Sequence, residues 1–208
     1  EAQVSNRTKE LNRLLNERDL LLKEVFHRVK NNFHMIIGML HLEKENERVD
    51  FKGLVNRIRS MSTIHEHLYR NKDLSSIKIE GYLKQLLNNI KASYPEVNVS
   101  FESESVPFSF DHALSLGIII NEVVTNSIKH NTKEKPCVYV QLKQHKDDLF
   151  LSIKDNGSGF EPDTVKKGLG LKLVKQFCKK LSNSQSKFYF DNGTTFELRF
   201  SNGNEHEK

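Results

Sequence analysis

Asn121-Glu122-Val123-Val124-Thr125-Asn126-Ser127-Ile128-Lys129-His130 is the stretch on which the reading of this chain turns. It lies within a strongly apolar segment, 111–131, that reads as a helix. Glu122, Asn126, Lys129 and His130 fall at steps of four, three and one, and so line one side of it. Polar groups aligned on a helix that buries its other faces need partners, which a bound ligand or ion can supply. The amide oxygen of Asn126 is a hard donor suited to Mg²⁺, an ion that keeps waters and binds substrate phosphates. Lys129 can offset phosphate charge. Taken alone, the strip is equally a helix with a wet edge.

Working outward, 138–142 and 149–153 read as strands, and Asp155-Asn156-Gly157-Ser158-Gly159-Phe160 follows the second of them. A carboxylate at that point can accept a hydrogen bond from an exocyclic amine such as that of adenine. The glycines let the backbone turn tightly and approach a flat base. Gly168-Leu169-Gly170-Leu171 opens a helix that runs through Leu181. Backbone N–H groups freed at such a helix start form an anion site. Each glycine pair by itself also fits a plain loop. Segments 188–190 and 194–200 read as a hairpin joined through Asn192-Gly193. On the upstream side, Ile77 and Ile79 read as a short strand and Tyr82, Leu83, Leu86, Leu87 and Ile90 as a helix. Val97, Val99 and Phe101 alternate like a strand. Helices and mostly antiparallel strands mixed without strict βαβ alternation predict a two-layer α/β sandwich.

The first third of the chain has a different period. Val4, Thr8, Leu11, Leu15, Arg18, Leu22, Val25, Val29, Asn32, Ile36 and Met39 step by four and three, the seam of a coiled coil within one helix over 1–45. From Val25 the apolar stripe widens to take in Phe26, Phe33 and Leu40, as in a bundle. A second amphipathic helix at about 50–71 carries Phe51, Leu54, Val55, Ile58, Met61, Ile64 and Leu68. Two helices cannot bury a core alone, whereas two hairpins from a dimer make a four-helix bundle. With Leu22 and Val25 in the seam, His27 falls at the position farthest from it, on the solvent side beside Lys23, Glu24 and Asn31.

Composition sets bounds on all of this. The chain has 208 residues, 37% hydrophobic and 28% charged, with a net charge of +5. Lys and Arg are spread rather than blocked, so the footprint of a nucleic-acid binder is weak. No apolar run approaches the ~18–20 residues of a membrane span, and 1–22 is charged and periodic, unlike a signal peptide. Cys137 and Cys178 cannot make a disulfide framework or a four-cysteine zinc site, and read as thiols of a reducing cytosol. His27, His34 and His41 are ~10 Å apart along a helix, too far to share an ion. There is no Walker motif, which excludes a P-loop kinase.

Two sets of residues resemble one family. Glu24-Val25-Phe26-His27-Arg28-Val29-Lys30-Asn31-Asn32 resembles the phosphoacceptor helix of bacterial sensor histidine kinases, in the subgroup whose histidine is followed by Arg-Val-Lys-Asn-Asn. Arg57-Ile58-Arg59-Ser60-Met61 and Ile64-His65-Glu66-His67-Leu68-Tyr69 are similar to that subgroup too. The helix at 121–130, the glycine blocks and Gly193-Thr194-Thr195-Phe196 together resemble the ATP-binding fold of histidine kinases and gyrase-type ATPases. The chain has no tryptophan, so it does not fit the subgroup marked by a tryptophan-containing motif.

The resemblance implies an α+β protein, a helical-hairpin dimerisation domain followed by an α/β sandwich ATP-binding domain. It divides the chain into a coiled-coil linker helix at 1–22, a dimerisation and phosphotransfer hairpin at 23–73, an ATP-binding domain at 74–200 and a disordered tail at 201–208. It implies ATP and Mg²⁺ as cofactors, with Asn126 as the metal ligand and Asp155 as the adenine contact. Gly157 and Gly159 would shape the base pocket, Gly168 and Gly170 the lid hinge and phosphate contacts, and Thr194 a polar partner near the base. Lys129 and His130 complete the nucleotide side. His27 is then the phosphoacceptor. Arg28 stands where many of these kinases have an acid, so Glu24, one turn earlier, is the local candidate base. Glu122 stands where many have Asn and the gyrase-type ATPases have a general base. It would orient His27 or activate water. The implied partners are a second copy of the chain and the receiver domain of a response regulator, without nucleic acid and without membrane contact within this fragment; the expected location is the cytoplasm, with a membrane anchor in an upstream region of the full-length protein left open. Two rival readings stand beside this one: a phosphotransfer scaffold with a degenerate ATP domain, and a gyrase-like ATPase that uses Glu122 on water.

Overall fold

A computed structural model describes Ala2–Lys44, Phe51–Arg70, 77–159, 169–190 and 192–201. It divides into two compact units, Glu1–Val49 and Asp50–Lys208. The first holds one helix, α1 (Ala2–Lys44), of 43 residues. At 1.5 Å per residue that is about 65 Å of rod. None of its described side chains is buried, and Leu11, Leu14, Leu15, Leu22, Phe33, Ile37 and Leu40 are all exposed. Of the seam read from the sequence, Leu11, Leu15, Leu22 and Val29 are thus exposed on the single chain, and Val25 and Ile36 are half-buried.

The second unit opens with α2 (Phe51–Arg70) and continues through β1 (Ile77–Lys78), α3 (Ile79–Ser93), β2 (Asn98–Ser103), β3 (Pro107–Phe108) and α4 (Phe110–His130). It ends with β4 (Cys137–His145), β5 (Asp148–Asp155), α5 (Leu169–Cys178), β6 (Gln185–Phe190) and β7 (Thr194–Ser201). The main sheet has five strands in the order β2-β4-β5-β7-β6. Only β2 and β4 run parallel, and the crossover between them carries α4. Every other pair is antiparallel. Strand periodicity sends Val138, Val140, Leu142, Leu149, Leu151, Ile153, Phe196, Leu198 and Phe200 to one buried face. The helices cover that face, while Tyr139, Phe150 and Tyr189 stand exposed on the other. This is the two-layer α/β arrangement of an α+β protein.

The sequence pattern did not show β3. A two-residue strand has no period to read, and Pro107–Phe108 is held by antiparallel pairing to β1 (Ile77↔Phe108). The helix expected to run through Leu181 ends at Cys178 and gives way to a turn, with Lys180 N–H donating to Phe177 O and Leu181 N–H to Cys178 O. Among the described residues no helix is long and apolar enough to cross a membrane.

α4 is the axis of the unit. Ser109 caps its start by accepting from His112 N–H at 3.3 Å, and Asp111 near the start and Lys129 near the end suit the helix dipole. Sixteen of its residues, from Phe110 to Ile128, are buried, including Asn121 and Glu122. Gly117 lets α3 close in: a Cβ there would lie 1.7 Å from the Tyr82 hydroxyl. Tyr82 is fully buried, and its hydroxyl reaches Ser60 O of α2 at 3.5 Å. Burial pushes its phenol well above the ordinary range, so it remains a donor at all working pH.

The stripe foreseen on α2 is split by the fold. Leu54, Met61 and Ile64 are buried together with Asn56, Arg57, Ser60 and Thr63, whereas Phe51, Val55 and Ile58 are exposed. The buried face therefore carries polar residues as well as apolar ones.

Gly117→Ala should destabilise the unit by about 1–3 kcal/mol in urea unfolding, the usual range for overpacking, despite the better helix propensity of alanine. Tyr82→Phe in that background should recover part of the loss, because it removes the atom that the new methyl meets first. Cys178 is buried, and that burial pushes its thiol up to about 11 against a smaller opposing hydrogen bond with Ser186, while Cys137 is only half-buried. Native protein at pH 8 should therefore lose Cys137 to a thiol reagent well before Cys178, as peptide mapping would show.

Candidate functional site

The site starts from one buried carboxylate. Asp155 ends β5, where β4 pairs on one side (Val138↔Asp155) and the β7 ladder has stopped one residue earlier (Lys154↔Thr195). The next backbone donor on β7, Thr194 N–H, turns to the Asp155 side chain and donates to Oδ1 at 2.9 Å. Gly157 N–H donates to the same Oδ1 at 2.9 Å, closing a tight turn. Asp155 is 5% exposed, and among the described residues none donates to its Oδ2. One oxygen is fixed by the chain and the other is left to accept from a ligand.

The glycines around it answer to space. Gly193 has φ 134°, and a Cβ there would fall 2.1 Å from the Asp155 carbonyl oxygen. The turn can seat Thr194 N–H on Asp155 only without a side chain at 193. Gly159 has φ 74°. A Cβ on Gly157 would stand 3.1 Å from Asp155 Oδ1.

Asn156 is a residue that the sequence reading passed over. Its Oδ1 accepts from Asn131 Nδ2 at 2.8 Å and from Cys137 N–H at 2.9 Å, and its Nδ2 donates to Lys135 O at 3.0 Å. It braces the exit of α4 to the start of β4, directly beside Asp155. Its partners are the Asn131 side chain and backbone groups of Lys135 and Cys137, all about twenty residues away, which no spacing rule identifies.

The strip on α4 runs from the interior to the surface. Glu122 is 1% exposed, Asn126 is half-buried, and Lys129 and His130 are exposed. The first turn of α5 passes over the inner end: a Cβ on Gly170 would meet Glu122 Oε2 at 2.9 Å and Asn126 Nδ2 at 3.1 Å. Asn126 takes no hydrogen bond from the other described residues. Thr125, inside the same segment, spends its hydroxyl on Asn121 O at 2.6 Å. Asn126, Gly170 and Glu122 thus meet at one place, and Asp155, Gly157, Gly193 and Thr194 at another.

Glu122 is not open to solvent there. Arg57 of α2 grips it with both ends of its fork, Nε to Oε1 at 2.7 Å and Nη2 to Oε2 at 2.8 Å. Asn121 Nδ2 adds a third bond to Oε1 at 3.1 Å. The sequence did carry a signal for this, since Arg57 lies at helical spacing between Leu54, Met61 and Ile64 on a face that buries itself. A lone arginine on a buried face asks for a carboxylate.

Other expected residues cannot be placed in the site. The backbone of α1 runs through Glu24 and His27, but their side chains lie outside the described residues, as do residues 160–167 and Gly168. The tail from 202 onward lies outside them too. Among the described residues no group of three or more His, Cys, Asp or Glu gathers to hold a metal.

Residues 24–94 match a family model described as histidine kinase, and 111–204 match one described as histidine kinase-, DNA gyrase B-, and HSP90-like ATPase. Blue-light-activated histidine kinase 2 of Erythrobacter litoralis is 25% identical over 79% of this chain and 52% of its own length. Sensor histidine kinase PdtaS of Mycolicibacterium smegmatis is 24% identical over 80% of this chain and 36% of its own. The chain therefore spans about half of the first relative and about a third of the second. Among solved structures, the histidine kinase domain from Erythrobacter litoralis EL346 blue-light activated histidine kinase superposes with a TM-score of 0.70 at 17% identity, covering 81% of this chain and 83% of that one. That likeness is one of fold. With a helical region matched ahead of an ATPase domain in the same order, the chain belongs to the two-component histidine kinases and carries their catalytic core.

Proposed function

We propose that this chain is an ATP-dependent protein histidine kinase that takes a phosphoryl group onto His27 and passes it to an aspartate of a response regulator. The observation that carries the reading is Asp155, a buried carboxylate with one oxygen locked by two backbone donors and the other kept as an acceptor. That asymmetry fits the amine edge of an adenine. A group recognised this way needs room for a flat base, and the positions where a Cβ would strike Asp155 are glycines. Mg-ATP, when bound, supplies the phosphoryl group and the charge that must be neutralised. Asn126 offers its amide oxygen to the ion, while Lys129, exposed near the end of α4, lies on the side of the helix that would face phosphates. His130 flanks it there. Gly170 lets the start of α5 come close to Asn126, as a phosphate-contacting helix start requires.

His27 attacks through one ring nitrogen, so the proton on the other must be held or removed. Glu24 and Glu122 are the two carboxylates assigned to that task. Gly168 would act at the lid and Thr194, through its backbone, at the base. Transfer depends mainly on positioning and charge neutralisation. The chain works as a homodimer in this reading. Support comes from the uncovered stripe of α1 and from Phe51, which is 70% exposed, with Val55 and Ile58 beside it on α2.

His27→Gln should abolish acid-labile, alkali-stable labelling from γ-labelled ATP while nucleotide binding persists. Labelling that survives would sink the assignment. Asp155→Asn makes a sharper test of the pocket. The Asn oxygen can still accept from Gly157 and Thr194 N–H, so the fold should hold. The second atom, however, changes from acceptor to donor and meets the amine donor to donor. ATP affinity by calorimetry should fall about 10–100-fold, or roughly 1.4–2.7 kcal/mol, with an unchanged melting temperature. Equal affinity would remove Asp155 from the site.

A further inference from the structure

The Arg57–Glu122 pair sits oddly for a working catalytic group. Both lone-pair regions of Glu122 Oε1 are filled, by Arg57 Nε at 2.7 Å and Asn121 Nδ2 at 3.1 Å. Oε2 accepts from Arg57 Nη2 at 2.8 Å, and the backbone of Gly170 lies so close that an added Cβ would stand 2.9 Å from it. With both oxygens held by Arg57 and the residue only 1% exposed, the carboxylate is closed to an imidazole or a water arriving from solvent. Of these neighbours, Asn121 is on the same helix and Gly170 on α5. Only Arg57 comes from α2, which packs on this layer as a separate helix against α3 and α4.

The face by which α2 packs is mixed in character. Leu54, Met61 and Ile64 anchor it, but Asn56, Arg57, Ser60 and Thr63 are buried alongside them, each under a tenth exposed. Such side chains are at home in water once released, where a fully apolar face is not. The seam is also imperfect. Asn56 Nδ2 and Asn121 Oδ1 are buried with no protein partner among the described residues, and both line a narrow gap with Ser60, Asn89 and Ile90.

We propose that Arg57 is a positioning residue that holds Glu122 withdrawn while α2 is docked, and that undocking of α2 frees this carboxylate for the phosphoryl-transfer reaction. The proposal rests on the reading that Glu122 acts in that reaction. Docked and undocked α2 differ in whether Glu122 is gripped and covered by Arg57, so anything that shifts α2 changes the rate without altering the nucleotide pocket around Asp155. The pair is bidentate, which makes the hold directional: a lysine keeps the charge but cannot fork.

The test uses the full chain with Arg57→Gln, Arg57→Lys and Glu122→Gln, and reads three quantities. Hydrogen exchange of α2 amides reports docking, calorimetric ATP affinity reports the pocket, and the initial rate of His27 labelling at several ATP concentrations reports the reaction. Arg57→Gln should speed α2 exchange at least tenfold with β4, β5 and β7 unchanged. It should raise maximal labelling several-fold at constant half-saturating ATP and leave ATP affinity within twofold. Arg57→Lys should fall between Gln and wild type on both exchange and rate. A merely structural arginine would not raise the maximal rate. Slower labelling with intact affinity overturns the proposal, since the pair would then belong to the working state, and so does unaltered α2 exchange. If Arg57→Gln loses ATP binding, Arg57→Lys carries the same comparison. Glu122→Gln labelling at the wild-type rate would instead defeat the underlying role of Glu122, while α2 exchange in the Arg57 variants still decides whether the pair holds the helix.

Discussion

The candidate site depends on keeping a charged oxygen of Asp155 away from water at the end of a strand. Two backbone N–H groups, from Gly157 and Thr194, converge on Oδ1, and charge-assisted bonds of this kind are the strong ones. Everything around it is arranged to let them converge. The β7 ladder stops early so that Thr194 has a donor to spare, Gly193 removes the atom that would block it, and Asn156 fixes the loop on the far side. The remaining oxygen inherits its direction from the first. A carboxylate on a flexible loop would have no such preference and would discriminate poorly between a donor and an acceptor.

A second buried charge obeys the same rule with a different outcome. Glu122 is tied by a side chain from another helix rather than by its own backbone. A buried ion pair is weak support for stability, because desolvation offsets most of the attraction, but breaking one partner away is severe. Arg57 and Glu122 therefore make docking of α2 specific more than they make it strong. The apolar anchors Leu54, Met61 and Ile64 supply adhesion, and the pair sets the register.

How much of this could be read from the residues alone follows from the reach of each signal. Long helices with a repeating period, α1, α2 and α4, were legible because each turn repeats the message, and their ends fell within a residue or two of the expected ones. The hairpin at 190–194 was legible because Asn192 and Gly193 accept positive φ, 51° and 134°. Asp155 was legible as a carboxylate at the end of a strand, yet not the two donors that fix it. Those come from Thr194 and Gly157, one of them brought by the sheet from the next strand. Arg57 and Asn156 act through partners distant in sequence, so no local window contains the interaction. The division of α2 into a docked face and an open one was likewise invisible, because its amphipathic pattern records how apolar a position is and not which neighbour will cover it.

Gly193 has a meaning for mutational tolerance. The residue belongs to a hairpin turn, the kind of place where substitutions are usually harmless, but it is itself buried. Here any side chain would collide with the main chain of Asp155, and the left-handed backbone would resist it as well. A variant survey would therefore find a turn position as intolerant as the carboxylate beside it, and a damaging change there would displace Asp155 before it disturbed the strands.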